Sequence, residues 1–371
     1  MTTQGSAPYF PWRGWAFCSV NDKELFADYV NEAVVRAADY GVNLLEFHDY
    51  TCPGGIVDAV ITYRDYDKLQ RDLSERQRAE NYTYLRQLAQ KVKDQGLELN
   101  CWYHVFRYAP EALASAYPEV GDVDKDFVWN FIAASLDEFF HLMPEVDRLT
   151  LTSLHETPSI MQSGGSMGRE ERLLKLYTTI YDVCNAHGKG LVIRDFIVRD
   201  EDLTSFLRIM DALPDDVVIM TKEVFADWTH LNLPLTPSLT AYRGRNLVVE
   251  MDVYGEYAGR LDMPCCIPEY IHGAVRGVLP FEPLGVTARL VHDDAKSQHF
   301  KTIFDSPNDI NVYALSRFLH DPGYQLAPGQ PWHGNYAQMD GALWREWAVS
   351  KYGEQAAPEI VRALRRTADI V

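Results

Sequence analysis

The sequence predicts an α/β fold, a (β/α)8 TIM barrel with a C-terminal helical extension. Three observations carry that expectation. Eight short apolar runs of strand type recur along the 371 residues, most of them followed by a helix pattern. The runs finish in charged or aromatic residues, as barrel strands do where they deliver a site at their carboxyl ends. No Gly-x-Gly-x-x-Gly follows the first run and no P-loop occurs, which disfavours an open doubly wound sheet.

Taken in order, Trp12 to Phe17 is the first strand. Asn21-Asp22 offers a cap for a helix to about Ala38, with Leu25, Phe26, Tyr29, Val30, Ala33 and Val34 at helical spacing and Gly41 as its stop. Val42 to His48 is the second strand, and the stretch from Tyr50 to about Asp72 is an aromatic insertion. Ser74 to Lys93 is a helix, and Leu97 to Tyr103 the third strand. Asp124 to Leu142 is a helix, and Arg148 to Leu154 the fourth strand, closing in His155-Glu156. Arg169 to His187 is a helix, and Leu191 begins the fifth strand, which ends in Arg194-Asp195. Glu201 to Ala212 is a helix, Val217 to Lys222 the sixth strand, Asn246 to Met251 the seventh and Val286 to Leu290 the eighth. Pro264 to Pro268 reads as a turn, and Asn308 to Leu319 as a helix. The expected organisation is a catalytic barrel over 12–300 and a helical extension over 301–371 packed on it.

Composition narrows the function. An apolar fraction of 47% and a charged fraction of 24% describe a core-forming chain. A net charge of -18 repels phosphate backbones, so nucleic acid is not an expected partner. No apolar run is long enough for a membrane span. Met1 to Ser6 has neither the basic nor the apolar region of a signal peptide, and the expected location is cytoplasmic. The six cysteines, Cys18, Cys52, Cys101, Cys184, Cys265 and Cys266, form no CxxC pair and read as buried free thiols. No cofactor motif and no metal-ligand spacing such as HxH or HExxH is present, so neither group is expected. After Ala327 the aromatic residues, Trp344 and Trp347 among them, fit packing of the final helices or burial of a partner subunit in a homo-oligomer equally well.

Strand ends define the candidate site: His48, Asp49, His104, Glu156, Arg194, Asp195, Lys222, Glu223, Asp227, Glu250, Asp252, Glu256 and His292. Acids together with Trp102, Tyr103, Trp228, Tyr254 and Tyr257 suggest carbohydrate chemistry. Sugars stack on rings, and opposed carboxyls supply acid and base. The expected partner is therefore an oligosaccharide.

The segment from Ile219 to Gly259 resembles the inverting microbial α-glucuronidases. In that family a strand ends in lysine, an Ile-Asp-Phe-Gln segment follows, and a second acid stands in Glu-Tyr-Leu-Gly. This chain has Ile219-Met220-Thr221-Lys222, then Ala226-Asp227-Trp228, then Glu256-Tyr257-Ala258-Gly259. Its two acids are 29 residues apart, one more than in the family. Ile193-Arg194-Asp195-Phe196 is similar to the family's Trp-Arg-Ala-Phe. Asn311 to Arg317 with Asp321-Pro322 is similar to its Asn-x-Tyr-Ala-x-Gly-Arg and Asp/Asn-Pro region. The resemblance extends over about residues 97 to 350. It implies Glu156 as general acid, Asp227 and Glu256 as the pair that activates water, and Arg194 and Lys222 as cations for a uronate carboxylate. Thr152 stands where the family has a further lysine, and no Gln follows Asp227-Trp228. His48, Trp102, His104, Trp228, Glu250, Tyr257 and His292 complete the expected substrate-binding set. The expected activity is an exo-acting, inverting glycoside hydrolase for a uronic-acid-containing oligosaccharide.

Four alternatives stand beside it. One is a retaining glycosidase using Glu156 and Glu250. A second is a uronate lyase with a tyrosine or histidine base. A third is a metal-dependent hydrolase or isomerase drawing ligands from His48, Asp49, His104, Glu156 and His292. The fourth is a non-catalytic carbohydrate-binding barrel.

Overall fold

A computed structural model of the chain describes residues 7–48, 55–69, 73–105, 110–152, 160–161, 163–197, 199–225, 228, 234–257, 261–292, 299–324 and 341–367. Eight strands form a closed barrel in sequence order: β1 (Trp12–Cys18), β2 (Leu44–Phe47), β3 (Glu98–Trp102), β4 (Arg148–Thr152), β5 (Gly190–Arg194), β6 (Val218–Lys222), β7 (Leu247–Asp252) and β8 (Gly285–His292). The expected fold class is therefore correct. Every residue of β2, β6 and β7 is buried. Parallel strands covered on both faces need no polar alternation, and that is why they read as continuous apolar runs.

The helices are α1 (Lys23–Arg36), α2 (Gly55–Val60), α3 (Glu75–Asp94), α4 (Pro110–Ala116), α5 (Asp126–Leu142), α6 (Arg169–Ala186), α7 (Asp200–Asp211), α8 (Ser238–Ala241), α9 (Pro268–Val278), α10 (Asp309–His320) and α11 (Ala342–Leu364). On α1 the buried face is Leu25, Phe26, Tyr29, Val30, Ala33 and Val34, the six positions the periodicity selected. α3 starts in a capping box between Ser74 and Gln77. Four helices, α2, α4, α8 and α9, lie where the sequence reading had none. α2 falls within the stretch read as an insertion. α9 begins at Pro268, which stands in the first turn, where no amide proton is required.

Two compact units share these elements. The first comprises Met1–Cys18, Glu24–Asn43 and Lys222–Val371. Here β1 pairs with β8, Trp12 opposite Gly285. A Cβ on Gly285 would fall 1.7 Å from the Trp12 carbonyl oxygen, so only glycine allows this approach. Trp344 donates its indole N–H to Glu269 and Trp347 to Asp309, both at 2.8–2.9 Å. Both rings are buried within this chain.

The second unit comprises Ser19–Lys23 and Leu44–Thr221. Its ladders run β2–β3–β4–β5–β6, all parallel. α5 contributes a mainly apolar face, Val128, Trp129, Phe131, Ile132, Leu136, Phe139 and Phe140, with Ser135 and Glu138 buried among them. Cys18, Cys101, Cys184, Cys265 and Cys266 are free and buried, as expected, and Cys52 lies outside the described residues. Among the described residues no helix is long and apolar enough to cross a membrane.

Candidate active site

In the first unit the ends of β6, β7 and β8 bring acids and cations together around one guanidinium. Arg289, on β8, donates from Nη2 to Glu250 Oε1 and from Nη1 to Glu256 Oε2, each at 2.8 Å. All three side chains are almost wholly buried. Burial alone would lower the guanidinium's pKa. The charges of Glu250, Cys18 and Glu256 outweigh it and hold Arg289 well above its ordinary value. His292 Nδ1 lies 3.4 Å from the other oxygen of Glu256. Trp228 carries two cations on its ring, Lys222 at 4.3 Å and Arg289 at 4.6 Å from the centroid. Its indole N–H donates to Glu223 Oε2 at 2.8 Å.

The backbone that presents Glu256 is built by Asp252. Oδ1 of Asp252 accepts from the amides of Tyr254 and Gly255, and Oδ2 from that of Glu256, at 2.8–3.1 Å. Gly255 takes the left-handed conformation this turn requires, with φ of 83°. From outside the turn, Asn311 on α10 donates to the carbonyls of Val253 and Cys265 and accepts from Ile267. Asn308 donates to the Tyr254 carbonyl and accepts from Cys265. The Asn311 region, recognisable by resemblance, thus pins the loop after β7.

Burial raises the pKa of two of these acids. Burial pushes the Glu223 carboxyl up to about 8. The Trp228 hydrogen bond opposes this, and the charges of Asp252 and Glu250 add to it. Burial likewise pushes Asp252 up to about 6 against its backbone hydrogen bonds. Glu223 is therefore a neutral acid at pH 7. Its folded pKa lies above its unfolded value, so its stabilising contribution is complete below about 4.5 and fades as pH rises through about 8. Glu223→Gln removes this dependence. Between pH 5 and pH 8 the variant should gain roughly 2–4 kcal/mol of stability relative to wild type. Urea unfolding at the two pH values measures it; an unchanged difference would mean that Glu223 holds no extra proton.

In the second unit the ends of β2, β3 and β5 form a ring cluster. The His48 and Trp102 rings are 4.3 Å apart, and His48 and His104 5.6 Å. The Arg194 guanidinium lies over Trp102 at 5.3 Å and over Phe196 at 5.2 Å. Its neighbour Asp195 accepts from the Thr221 hydroxyl at 2.9 Å.

The expected residues thus fall into two groups. Lys222, Trp228, Glu250, Glu256 and His292 gather around Arg289, with Tyr257 half exposed just beyond them. His48, Trp102, His104 and Arg194 form the second group. Glu156 and Asp227, with Asp49 and His155, lie outside the described residues. Sequence reading missed Arg289, the hub of the first group. The available signal was a lone arginine inside the apolar run Val286 to Val291, since a buried cation requires acidic partners. It also named Glu223 without giving it a role.

No protein-family model matches the chain, and no curated protein matches it. Solved structures do. A GH138 enzyme targeting pectin rhamnogalacturonan II superposes with a TM-score of 0.65 at 12% identity, over 98% of this chain and 44% of that one. A beta-N-acetylhexosaminidase gives 0.51 at 12% identity, over 94% and 78%. GH5_18 from Streptomyces cattleya, in complex with GlcNAc, gives 0.51 at 13% identity, over 96% and 92%. The chain spans less than half the length of the GH138 enzyme. At these identities the likeness establishes the barrel fold.

Proposed function

We propose that the chain is a glycoside hydrolase acting on a uronic-acid-containing oligosaccharide, from a chain end and with inversion, in the manner of the α-glucuronidases its sequence resembles. The observation that carries this reading is the buried carboxylate pair Glu250 and Glu256 held on one guanidinium, beside a lysine seated on Trp228. Fixed carboxylates supply base chemistry, and adjacent cations complement an anionic sugar. Support also comes from the solved structures with this fold, which include enzymes of several glycoside hydrolase families.

In this mechanism Glu156 protonates the glycosidic oxygen, while Glu256 with Asp227 takes a proton from the attacking water. Inversion needs acid and base roughly 6.5–9.5 Å apart to admit that water. Arg289 gives Glu256 a fixed counter-charge. Lys222 complements the uronate carboxylate; the resemblance gives Arg194 the same ligand, which a guanidinium can hold with two prongs. Trp228 is buried and its ring already carries two cations, so it acts by positioning them; His48, Trp102, His104, Tyr257 and His292 bind the remaining sugar surface.

One observation favours a second reading. Glu250 lies within β7 itself, rigidly held by Arg289, as a nucleophile of a retaining enzyme would be. The two readings separate on the anomeric configuration of the first-formed product, read by proton NMR. Inversion is expected; retention moves the reaction to Glu156 and Glu250. Substrate charge is tested by calorimetry with uronate-capped and neutral oligosaccharides. Equal affinity, or preference for the neutral one, would remove the uronate assignment. An unsaturated product absorbing in the ultraviolet would identify a lyase instead.

A further inference from the structure

We propose that Asp137, His141 and His187 form a binding site for a divalent transition cation of the zinc class, which staples α5 to α6 in the second unit. Asp137 and His141 stand four residues apart on α5, so both project from one face of that helix. His187 is the C-cap residue of α6. One ligand atom from each lies within 4.8 Å of the other two. His187 Nε2 is 2.9 Å from Asp137 Oδ1, and His141 Nδ1 is 3.6 Å from Asp137 Oδ2. The two imidazole rings meet edge to face, with centroids 5.0 Å apart. Ligand atoms around a tetrahedral zinc are separated by about 3.4 Å, from metal–ligand distances near 2.1 Å. Closing the trio onto a metal therefore requires about 1 Å of side-chain movement.

The chemistry of the trio selects the ion. Two imidazoles and one carboxylate suit zinc and its late first-row neighbours, whereas calcium and magnesium require oxygen ligands. The setting favours a cation as well. His141 lies in the last turn of α5 and His187 at the end of α6, so the negative ends of two helix dipoles converge on the site.

Three interactions must yield. The hydrogen bond between His187 Nε2 and Asp137 Oδ1, at 2.9 Å, is given up when both become ligands. Arg64 Nη2 sits 2.8 Å from Asp137 Oδ2, as an exposed ion pair of the kind worth little. His141 Nδ1 lies 2.7 Å from the Asp137 carbonyl oxygen, so the ring must turn to release it. The helices that end here lead into β4 and β5, which puts the site at the amino ends of these strands. Residues at that end of a barrel serve stability, so the ion's role is structural.

The test uses the full chain stripped with a chelator and titrated with zinc chloride by calorimetry. Cobalt(II) absorption serves as a second readout of coordination. One equivalent should bind, and the midpoint of thermal unfolding should rise with added zinc. His141→Ala and His187→Ala should each weaken binding about tenfold or more, and the double variant should show no thermal shift while keeping wild-type circular dichroism. Arg64→Ala should tighten binding, because the competing cation is gone. Absence of saturable binding, or binding unaltered in the double variant, would overturn the proposal, as would equal affinity for magnesium.

Discussion

Replacing Arg289 with methionine is expected to be the most damaging single change in the chain. Glu250 and Glu256 would remain buried with their shared counter-charge removed. Breaking a buried ion pair from one side costs about 3–5 kcal/mol, because the abandoned charge cannot regain its hydration. Here two carboxylates are abandoned at once, and Trp228 loses one of the two cations on its ring. Unfolding in urea should show the loss, and hydrolysis should disappear at temperatures where the variant is still folded. Arg289→Lys keeps a charge but not the fork, so it should recover part of the stability and little activity. A loss below about 1 kcal/mol for Arg289→Met would mean that the three side chains do not form the buried triad.

Removal of the proposed base should produce the largest effect on turnover without a comparable effect on folding. Glu256→Gln keeps the side chain's shape and the possibility of a hydrogen bond to Arg289. It should lower kcat by about 10²–10⁴, for natural substrates and nitrophenyl glycosides alike, since both require an activated water. Glu156→Gln should behave differently. Its loss should be severe for a poor leaving group and mild for a nitrophenol, which needs little protonation. Glu250→Gln distinguishes the two stereochemical courses. If Glu250 braces Arg289 only, azide restores nothing; if it is a nucleophile, azide restores turnover of an activated substrate. Full activity in Glu256→Gln would remove that residue from the mechanism.

The barrel was legible because its strands are buried on both faces and because glycine and capping residues punctuate the helices. Ser74 and Gly96 bracket α3 in sequence as they do in space. α9 was not legible. Prolines 264 and 268 look like a turn, and only the position of Pro268 within the first helical turn reconciles it with a helix. The candidate cluster was legible where a side chain closes a strand, as Lys222 and Asp252 do. It was obscure where function depends on partners distant in sequence. Arg289 is inconspicuous until Glu250 and Glu256 are found on its two nitrogens. The neutral state of Glu223 follows from its burial, which no short motif announces. Asn311 was visible by resemblance, but its bonds to the loop after β7 appear only in three dimensions. The trio of Asp137, His141 and His187 joins two helices across 46 residues of chain, outside any compact metal motif.

The most direct test of the central claim is one proton NMR time course. Wild-type protein and Glu256→Gln are each incubated with a uronate-capped oligosaccharide and with its neutral counterpart. The account predicts release of free uronic acid from the uronate-capped substrate by the wild-type protein only, with the first-formed anomer of inverted configuration. Cleavage confined to the neutral substrate, or a uronate product appearing equally fast with Glu256→Gln, would contradict it.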